Sequence, residues 1–312
     1  MTDPPRPLMR AAVVHTTGGA HVLRIEDAPR PTPSESEVLI AVRAAAVNPV
    51  DWKIRRGFVA VPLPTVLGTD VSVAVVTSSV ADFAVGDDVF GIATSGSHAE
   101  LTTASAAAIA RKPPGVTYEQ AAAIPVSGLT AWQGLFERGI LERGQTVLIA
   151  GAAGGVGHLA VQLARRVGAT VIGTGSSRNR AFVLGLGADV FVDYTEEDVG
   201  DVVGDVDVVL DTVGGPATTS LLPTLRRGGV IVTVAYPPEQ PPEARGVRVE
   251  PLVMRPNVVQ LAGLGELIAS GALQVEIART LPLSGAREAH ELSESGHTRG
   301  KIVLTVDSAS SA

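Results

Sequence analysis

The rhythm of apolar positions changes near Gln145. Before it, short Val/Ala/Ile runs at Arg10–His15, Glu37–Ala45, Val71–Thr77, Asp88–Ile92 and His98–Thr103 are broken by turn residues, the pattern of an irregular, barrel-like β domain. Pro113-Pro114-Gly115 closes this part, and Thr117-x-x-Gln120 is a capping box opening a helical region that Pro125 and Gly128 interrupt before it continues through Leu135. After Gln145, strands at Thr146–Ala150, Thr170–Thr174, Val190–Asp193, Asp207–Asp211 and Gly229–Val234 alternate with helical periods. Apolar on both faces, they predict a parallel sheet covered on two sides. A proline-rich loop, Pro237–Gly246, precedes a sixth strand at Val247–Met254, and Asn257 caps a helix ending at Gly271. The tail, Leu273–Val306, returns to strand and short-helix character and ends on the strand Lys301-Ile302-Val303-Leu304.

Composition narrows the classes. A chain of 312 residues suits two domains, and 45% hydrophobic with 4% aromatic residues predicts tightly packed cores of small side chains. A net charge of −7 offers nucleic acid no basic field. The absence of cysteine excludes disulfides, thiolate nucleophiles and zinc sites that need sulfur. Residues 1–19 hold early prolines and no signal-type apolar core, and every apolar run of spanning length is interrupted. The expectation is a soluble, cytoplasmic protein with no membrane or nucleic-acid partner. The six histidines show no metal-ligand spacing and are read as neither ligands nor catalysts.

The sharpest motif is Val147-Leu148-Ile149-Ala150-Gly151-Ala152-Ala153-Gly154-Gly155-Val156-Gly157, a strand running through a glycine turn into an amphipathic helix. Gly154 has no Cβ to hold a pyrophosphate away, Gly157 permits close helix–strand packing, and the helix start presents N–H groups to the anion. Ala152, Gly154, Gly155, Val156 and Gly157 are therefore candidate dinucleotide ligands, although the turn reads Ala152-x-Gly154-x-x-Gly157 and lacks the first glycine of the strict fingerprint. The next strand ends in Gly175-Ser176-Ser177-Arg178 with no acid where a ribose-binding carboxylate would stand. Ser176, Ser177 and Arg178 are donors suited to a 2′-phosphate, so NADPH is expected over NADH. The alternative is that Arg178 and Arg180 are solvated residues opening the next helix.

Asn48-Pro49-Val50-Asp51-x-Lys53, Gly68-Thr69-Asp70, Gly86-Asp87-Asp88-Val89, Gly128-Leu129-Thr130-Ala131, the glycine turn, Leu186-Gly187-Ala188-Asp189 and Gly300-Lys301-Ile302-Val303-Leu304 occur in order at family spacing. Together they resemble the medium-chain dehydrogenase/reductases, specifically the zinc-free quinone oxidoreductase branch that includes zeta-crystallin. The resemblance implies an α/β protein: a GroES-like β-rich catalytic domain (1–127), a Rossmann doubly wound parallel sheet (128–272), and a return to the catalytic domain (273–312), with NADPH in the cleft. It also implies cofactor contacts at Thr130 and at Tyr194, for which a plain surface tyrosine is the alternative. Where zinc enzymes of this superfamily carry Cys-His-Thr-Asp and Gly-His-Glu, this chain has Asn48-Pro49-Val50-Asp51 and Gly68-Thr69-Asp70, so no metal site is expected.

Without a Lewis acid the acceptor must take hydride readily, as a quinone or an α,β-unsaturated carbonyl does. Asn48 is read as an amide donor to the carbonyl, or as a residue that only stabilises its Asn-Pro loop. Lys53 is either a cation for the developing oxyanion or a solvated loop lysine, Trp52 a pocket wall or core, and Asp70 a structural hydrogen-bonding carboxylate. The leading expectation is a zinc-independent, NADPH-dependent reductase of quinones or enones. An enoyl-thioester reductase, or an NADPH-binding protein without turnover, are the alternatives. Val247–Met254, as an edge strand exposing Val247, Val249, Leu252 and Val253, calls for pairing, and the resemblance implies a homodimer joined edge to edge across a two-fold axis.

Overall fold

The computed structural model describes residues 7–234 and 246–306; the proline-rich loop lies outside them except for Gly246, as does the Ser/Ala end. These residues form two compact units, one of residues 7–126 and 256–306, the other of residues 127–234 and 246–255.

The first unit opens with β1 (Leu8–Val14), β2 (Leu23–Pro29) and β3 (Glu37–Val47), turns through α1 (Pro49–Arg56), and continues with β4 (Thr65–Val66), β5 (Asp70–Ser78), β6 (Asp88–Ile92), β7 (Leu101–Ser105), β8 (Ile109–Arg111) and α2 (Tyr118–Ala122). Within α3 (Pro125–Trp132) the chain passes into the second unit. There follow β9 (Thr146–Ala150), α4 (Gly157–Val167), β10 (Thr170–Gly175), α5 (Arg180–Gly185), β11 (Val190–Asp193), α6 (Val199–Val202), β12 (Val206–Asp211), α7 (Pro216–Leu221), β13 (Leu225–Thr233) and β14 (Arg248–Pro251). The first unit resumes with α8 (Val258–Ala269), β15 (Ile277–Pro282), α9 (Ala286–Glu294) and β16 (Lys301–Thr305).

In the second unit the strands order as β11-β10-β9-β12-β13-β14, all parallel. That is the doubly wound order 3-2-1-4-5-6, with its switch point between β9 and β12. Leu148, Val209 and Ile231 fill its core, as the apolar-on-both-faces pattern requires. The first unit centres on β3, which pairs with β16, β5 and β7. Val38, Ile40 and Val42 alternate inward along β3, whereas Ala44, Ala45, Ala46 and Val47 are all buried, so its C-terminal half is covered on both faces.

Several local readings change. The segment after Asn48 is helix α1, not a loop: Pro49 stands at the first helical position, Asp51 Oδ2 accepts the Asn48 N–H at 2.7 Å, and Gly57 (φ +85°) closes the helix. Strand β2 was not legible, because Leu23–Pro29 carries three charges on a largely exposed face. The return to the first unit begins at Pro256 rather than at 273. The reason is packing: α8 seats Gly265 so closely that a Cβ there would lie 3.0 Å from Phe90 Cζ and 3.1 Å from Pro113 Cγ. The sixth strand is Arg248–Pro251, and Leu252 turns inward instead of lying exposed.

Candidate functional site

The second unit carries its candidate residues at the carboxyl ends of neighbouring strands. After β9 the chain turns at Gly151, whose φ of +69° makes it the tight-turn glycine that the Ala152-based reading lacked. Gly154 N–H donates to Gly151 O at 2.9 Å, and Ala152 N–H to Thr174 O at 3.0 Å, tying the turn to the neighbouring strand. Helix α4 then starts at Gly157, where a Cβ would lie 2.2 Å from Gly151 O and 2.8 Å from Ala152 Cα. No side chain caps this helix start, so backbone donors are what it offers an anion. On the other side, Asp211 Oδ1 accepts from Val213 and Gly214 N–H at 2.9 Å each, holding the turn after β12.

Residues 176–178 follow β10 and Tyr194 follows β11, and the register pairs Gly175 with Asp193. Ser176 is half-buried, and Ser177, Arg178 and Tyr194 are exposed. Arg180 instead stacks its guanidinium 4.9 Å from the Phe191 ring. The segment is not free of acid. Asp193 Oδ1 accepts from Thr195 N–H (2.9 Å) and Oγ1 (2.7 Å), and these bonds, with further ones from Ser177, hold its carboxyl below the usual range. A reading confined to β10 could not see it, because the acid arrives on the next strand and is turned inward, 1% exposed. Thr130 is buried on α3 beside Leu129 and Ala131.

The first unit brings together side chains from three separated segments. Asn48 follows β3, Asp70 begins β5 and Lys301 begins β16; all three are buried. Asn48 Nδ2 donates to Asp70 Oδ2 at 2.9 Å, Lys301 Nζ donates to Asn48 Oδ1 at 2.5 Å, and the ammonium lies 3.4 Å from Asp70 Oδ2. Asp70 Oδ1 takes the Val126 N–H at 2.7 Å. Asn48 is thus the N-cap residue of α1, and its side chain also joins this network. Burial pushes the Asp70 carboxyl up, against the Lys301 charge and the Asn48 hydrogen bond. Burial likewise pushes Asp51 to about 7, opposed by the Asn48 N–H and by Lys301.

Trp52 and Lys53 lie on α1, Trp52 meeting Phe58 edge to face at 6.2 Å with the Lys53 ammonium 5.6 Å from its ring centroid. Partial burial draws the Lys53 pKa down. His98, between β6 and β7, and His290, on α9, form a buried T-shaped ring pair at 5.6 Å, and both nitrogens of His290 lack a hydrogen-bond partner among the described residues. Sequence reasoning missed Lys301, although it is one of three lysines and heads an otherwise apolar strand. That misplaced charge was the available signal.

Residues 34–131 match the alcohol dehydrogenase GroES-like domain family, and residues 186–304 the zinc-binding dehydrogenase family. An Arabidopsis thaliana NADPH-dependent alkenal/one oxidoreductase is 36% identical over 95% of this chain and 79% of its own. A Mus musculus quinone oxidoreductase is 34% identical over 95% of this chain and 98% of its own. Among solved structures, the quinone oxidoreductase from Coxiella burnetii superposes with a TM-score of 0.90 at 38% identity, covering 96% of this chain and 100% of that one. Escherichia coli quinone oxidoreductase, solved as an NADPH complex, gives 0.88 at 29% identity over 95% and 99%. With such identity along nearly its whole length, the chain belongs to the medium-chain dehydrogenase/reductase superfamily, among its quinone oxidoreductases and alkenal reductases.

Proposed function

We propose that the protein reduces a quinone or an α,β-unsaturated carbonyl with NADPH. The observation that carries this reading is the Asn48–Asp70–Lys301 network, a buried amide held by a cation in a chain whose other unit has a dinucleotide turn. The cofactor fits the second unit: Gly157 lets the start of α4 rest against the Gly151 carbonyl with no side chain capping it, so the backbone N–H groups of Gly151 to Gly157 would hold the pyrophosphate, with Ser176, Ser177, Arg178 and Tyr194 at the 2′-phosphate end. Thr130, buried on α3, remains a proposed cofactor contact on the resemblance alone. NADPH would supply a hydride, two electrons with one hydrogen nucleus, to a carbon of the acceptor.

The residues of the chain then act on the charge left behind. Hydride addition at carbon drives negative charge onto the carbonyl oxygen of the acceptor, giving an enolate that a solvent proton completes; on a quinone the resulting keto form then tautomerises through solvent to the hydroquinone. Asn48 uses one Nδ2–H on Asp70, and the second is assigned to that oxygen. Trp52 is assigned to the pocket wall, where its ring excludes water, and Lys53, held against Trp52, adds positive charge on the same helix. Zinc independence is supported by the same network, because the oxygens of Asn48 and Asp70 already face the ammonium of Lys301.

The test is NADPH oxidation followed at 340 nm with one quinone, one small enone and one enoyl thioester as separate acceptors. Turnover with the quinone or enone is expected. Turnover with the thioester alone would replace this reading with the enoyl-thioester one, and none with any acceptor would leave cofactor binding without reduction. We further propose a homodimer through β14, whose outer edge has no partner strand among the described residues and is followed by exposed Val253. Light scattering at micromolar concentration should give twice the chain mass, and a monomer would overturn the assembly alone.

A further inference from the structure

We infer that Lys301 is a positioning residue: it fixes which end of the Asn48 amide is turned toward the reacting carbonyl oxygen. The inference rests on the role proposed for Asn48. The two ends of an amide have nearly the same shape and opposite polarity, so neighbours decide the orientation. Here both neighbours have one polarity only. An ammonium donates and cannot accept, and it holds Oδ1; a carboxylate accepts, and it holds Nδ2. A flipped amide would set two donors face to face at Lys301 and two acceptors face to face at Asp70. With both ends assigned, the remaining Asn48 proton is a donor, the polarity an oxyanion requires.

The placement is built by the sheet. Strand β16 runs antiparallel to β3 with Ile302 opposite Val47, which brings Lys301 beside Asn48, while Asp70 pairs with Ala46 from the other side. Gly300 delivers the lysine at φ +70°, in a turn where a Cβ would lie 2.3 Å from Glu276 O, and Lys301 N–H anchors to that same oxygen at 2.9 Å. Lys301 is 3% exposed, so the charge has no solvent to serve and its partners are these side chains.

A lysine that merely balances the buried carboxylates would look similar in a single variant. The test therefore compares Lys301→Met with the double variant Lys301→Met/Asp70→Asn, which removes cation and carboxylate together. Replacing both members of a buried pair with neutral groups is commonly tolerated. The double variant is expected to recover the melting temperature lost in Lys301→Met. Its kcat should stay at least tenfold below wild type, with the KM for NADPH within about twofold. Recovery of wild-type kcat by the double variant, or full kcat in Lys301→Met, would reduce the lysine to charge balance.

A second readout needs neither a Lys301 variant nor turnover. Asn48, Asn179 and Asn257 are the three asparagines of the chain, so selective ¹⁵N-asparagine labelling gives three side-chain amide pairs, assigned by substituting Asn179 and Asn257. The Asn48 pair should be shifted and slow to exchange with solvent. A pair at free-amide positions, exchanging rapidly, would overturn the inference even if both variants fail to fold. An inactive wild-type enzyme with a locked Asn48 amide would instead refute the proposed reaction and leave the geometry standing.

Discussion

The glycine turn of the parallel-sheet unit and the buried network of the β-rich unit both fix polar groups in place, by opposite means. The turn works with backbone: Gly151 bends it, the Gly151 carbonyl accepts from Gly154, and Gly157 lets the helix start rest against that same carbonyl. The network works with side chains from β3, β5 and β16, each locked by a partner of opposite polarity. Backbone positioning demands the absence of side chains within a few consecutive residues. Side-chain positioning demands charge complementarity between residues up to 253 positions apart. The first should therefore fail by collision and the second by loss of polarity, and substitutions can separate the two.

The largest effect is expected from Gly157→Ala. The new Cβ would lie 2.2 Å from the Gly151 carbonyl oxygen and 2.8 Å from Ala152 Cα. Both atoms are backbone, so the helix start must move. Overpacking of this kind costs roughly 1–3 kcal/mol. NADPH affinity, titrated by fluorescence, should fall at least tenfold, with a lower melting temperature. Unchanged affinity would show that the turn does not hold the pyrophosphate.

Arg178→Ala should act on one cofactor only. Losing a charge-assisted phosphate contact costs about 1.5–3 kcal/mol, so the KM for NADPH should rise more than tenfold while NADH use stays nearly constant. Equal losses with both cofactors would sink the phosphate assignment, and Asp193, turned against Ser177 and Thr195, would then be the residue to examine as a ribose ligand.

These two cases explain how much the sequence discloses. The glycine turn, the alternating strands and the order of the parallel sheet lie in contiguous segments, where period and turn chemistry are visible directly. Asp193 escaped notice because it reaches the 176–178 segment only once β11 lies beside β10. Lys301 escaped because a lysine before Ile-Val-Leu reads as a strand end until pairing sets it against Asn48. Helix α1 was hidden by the turn-forming character of Asn48-Pro49, the same pair that starts helices when the proline stands at the first helical position. The turn and the 176–178 segment were legible from residue chemistry and Thr130 and Tyr194 from resemblance, and what could not be read was which residues touch.

Buried histidines and buried carboxyls should give the β-rich unit opposing pH dependences. Burial draws His98 to about 4 and His290 to about 2, and the groups facing them are Asp70 and Ala46 O at His98, and His98 and Arg55 at His290. A folded-state pKa below the free value means the unfolded chain takes up protons that the folded one refuses, so stability falls as pH drops below about 6.5. Each histidine contributes up to about 1.4 kcal/mol per pH unit down to its folded value. Asp51, raised to about 7, acts in reverse between about 7 and 4, gaining stability as pH falls, and Asp70 is shifted in the same direction. Two lowered histidines against two raised carboxyls largely offset one another, leaving a net slope smaller than one histidine's. His290→Leu removes a ring whose two nitrogens have no hydrogen-bond partner among the described residues, and should tilt the denaturation slope toward greater stability at lower pH between about 6.5 and 4. An unchanged slope would clear the histidine pair of that role.

The smallest effect separates helix propensity from packing within one helix of that same unit. Gly263 and Gly265 both lie inside α8, where alanine should gain about 0.5–1 kcal/mol over glycine through backbone entropy. A Cβ on Gly263 meets nothing within 4 Å among the described residues, so Gly263→Ala should raise the melting temperature by that propensity alone. On Gly265 the same Cβ would meet Phe90 Cζ at 3.0 Å and Pro113 Cγ at 3.1 Å, and neither ring can rotate away as a flexible chain end would. Gly265→Ala should therefore be neutral or destabilising despite the identical gain. Equal stabilisation by both substitutions would mean that α8 packs less tightly on Phe90 and Pro113 than its glycine implies, and would weaken the argument that this helix belongs to the β-rich unit.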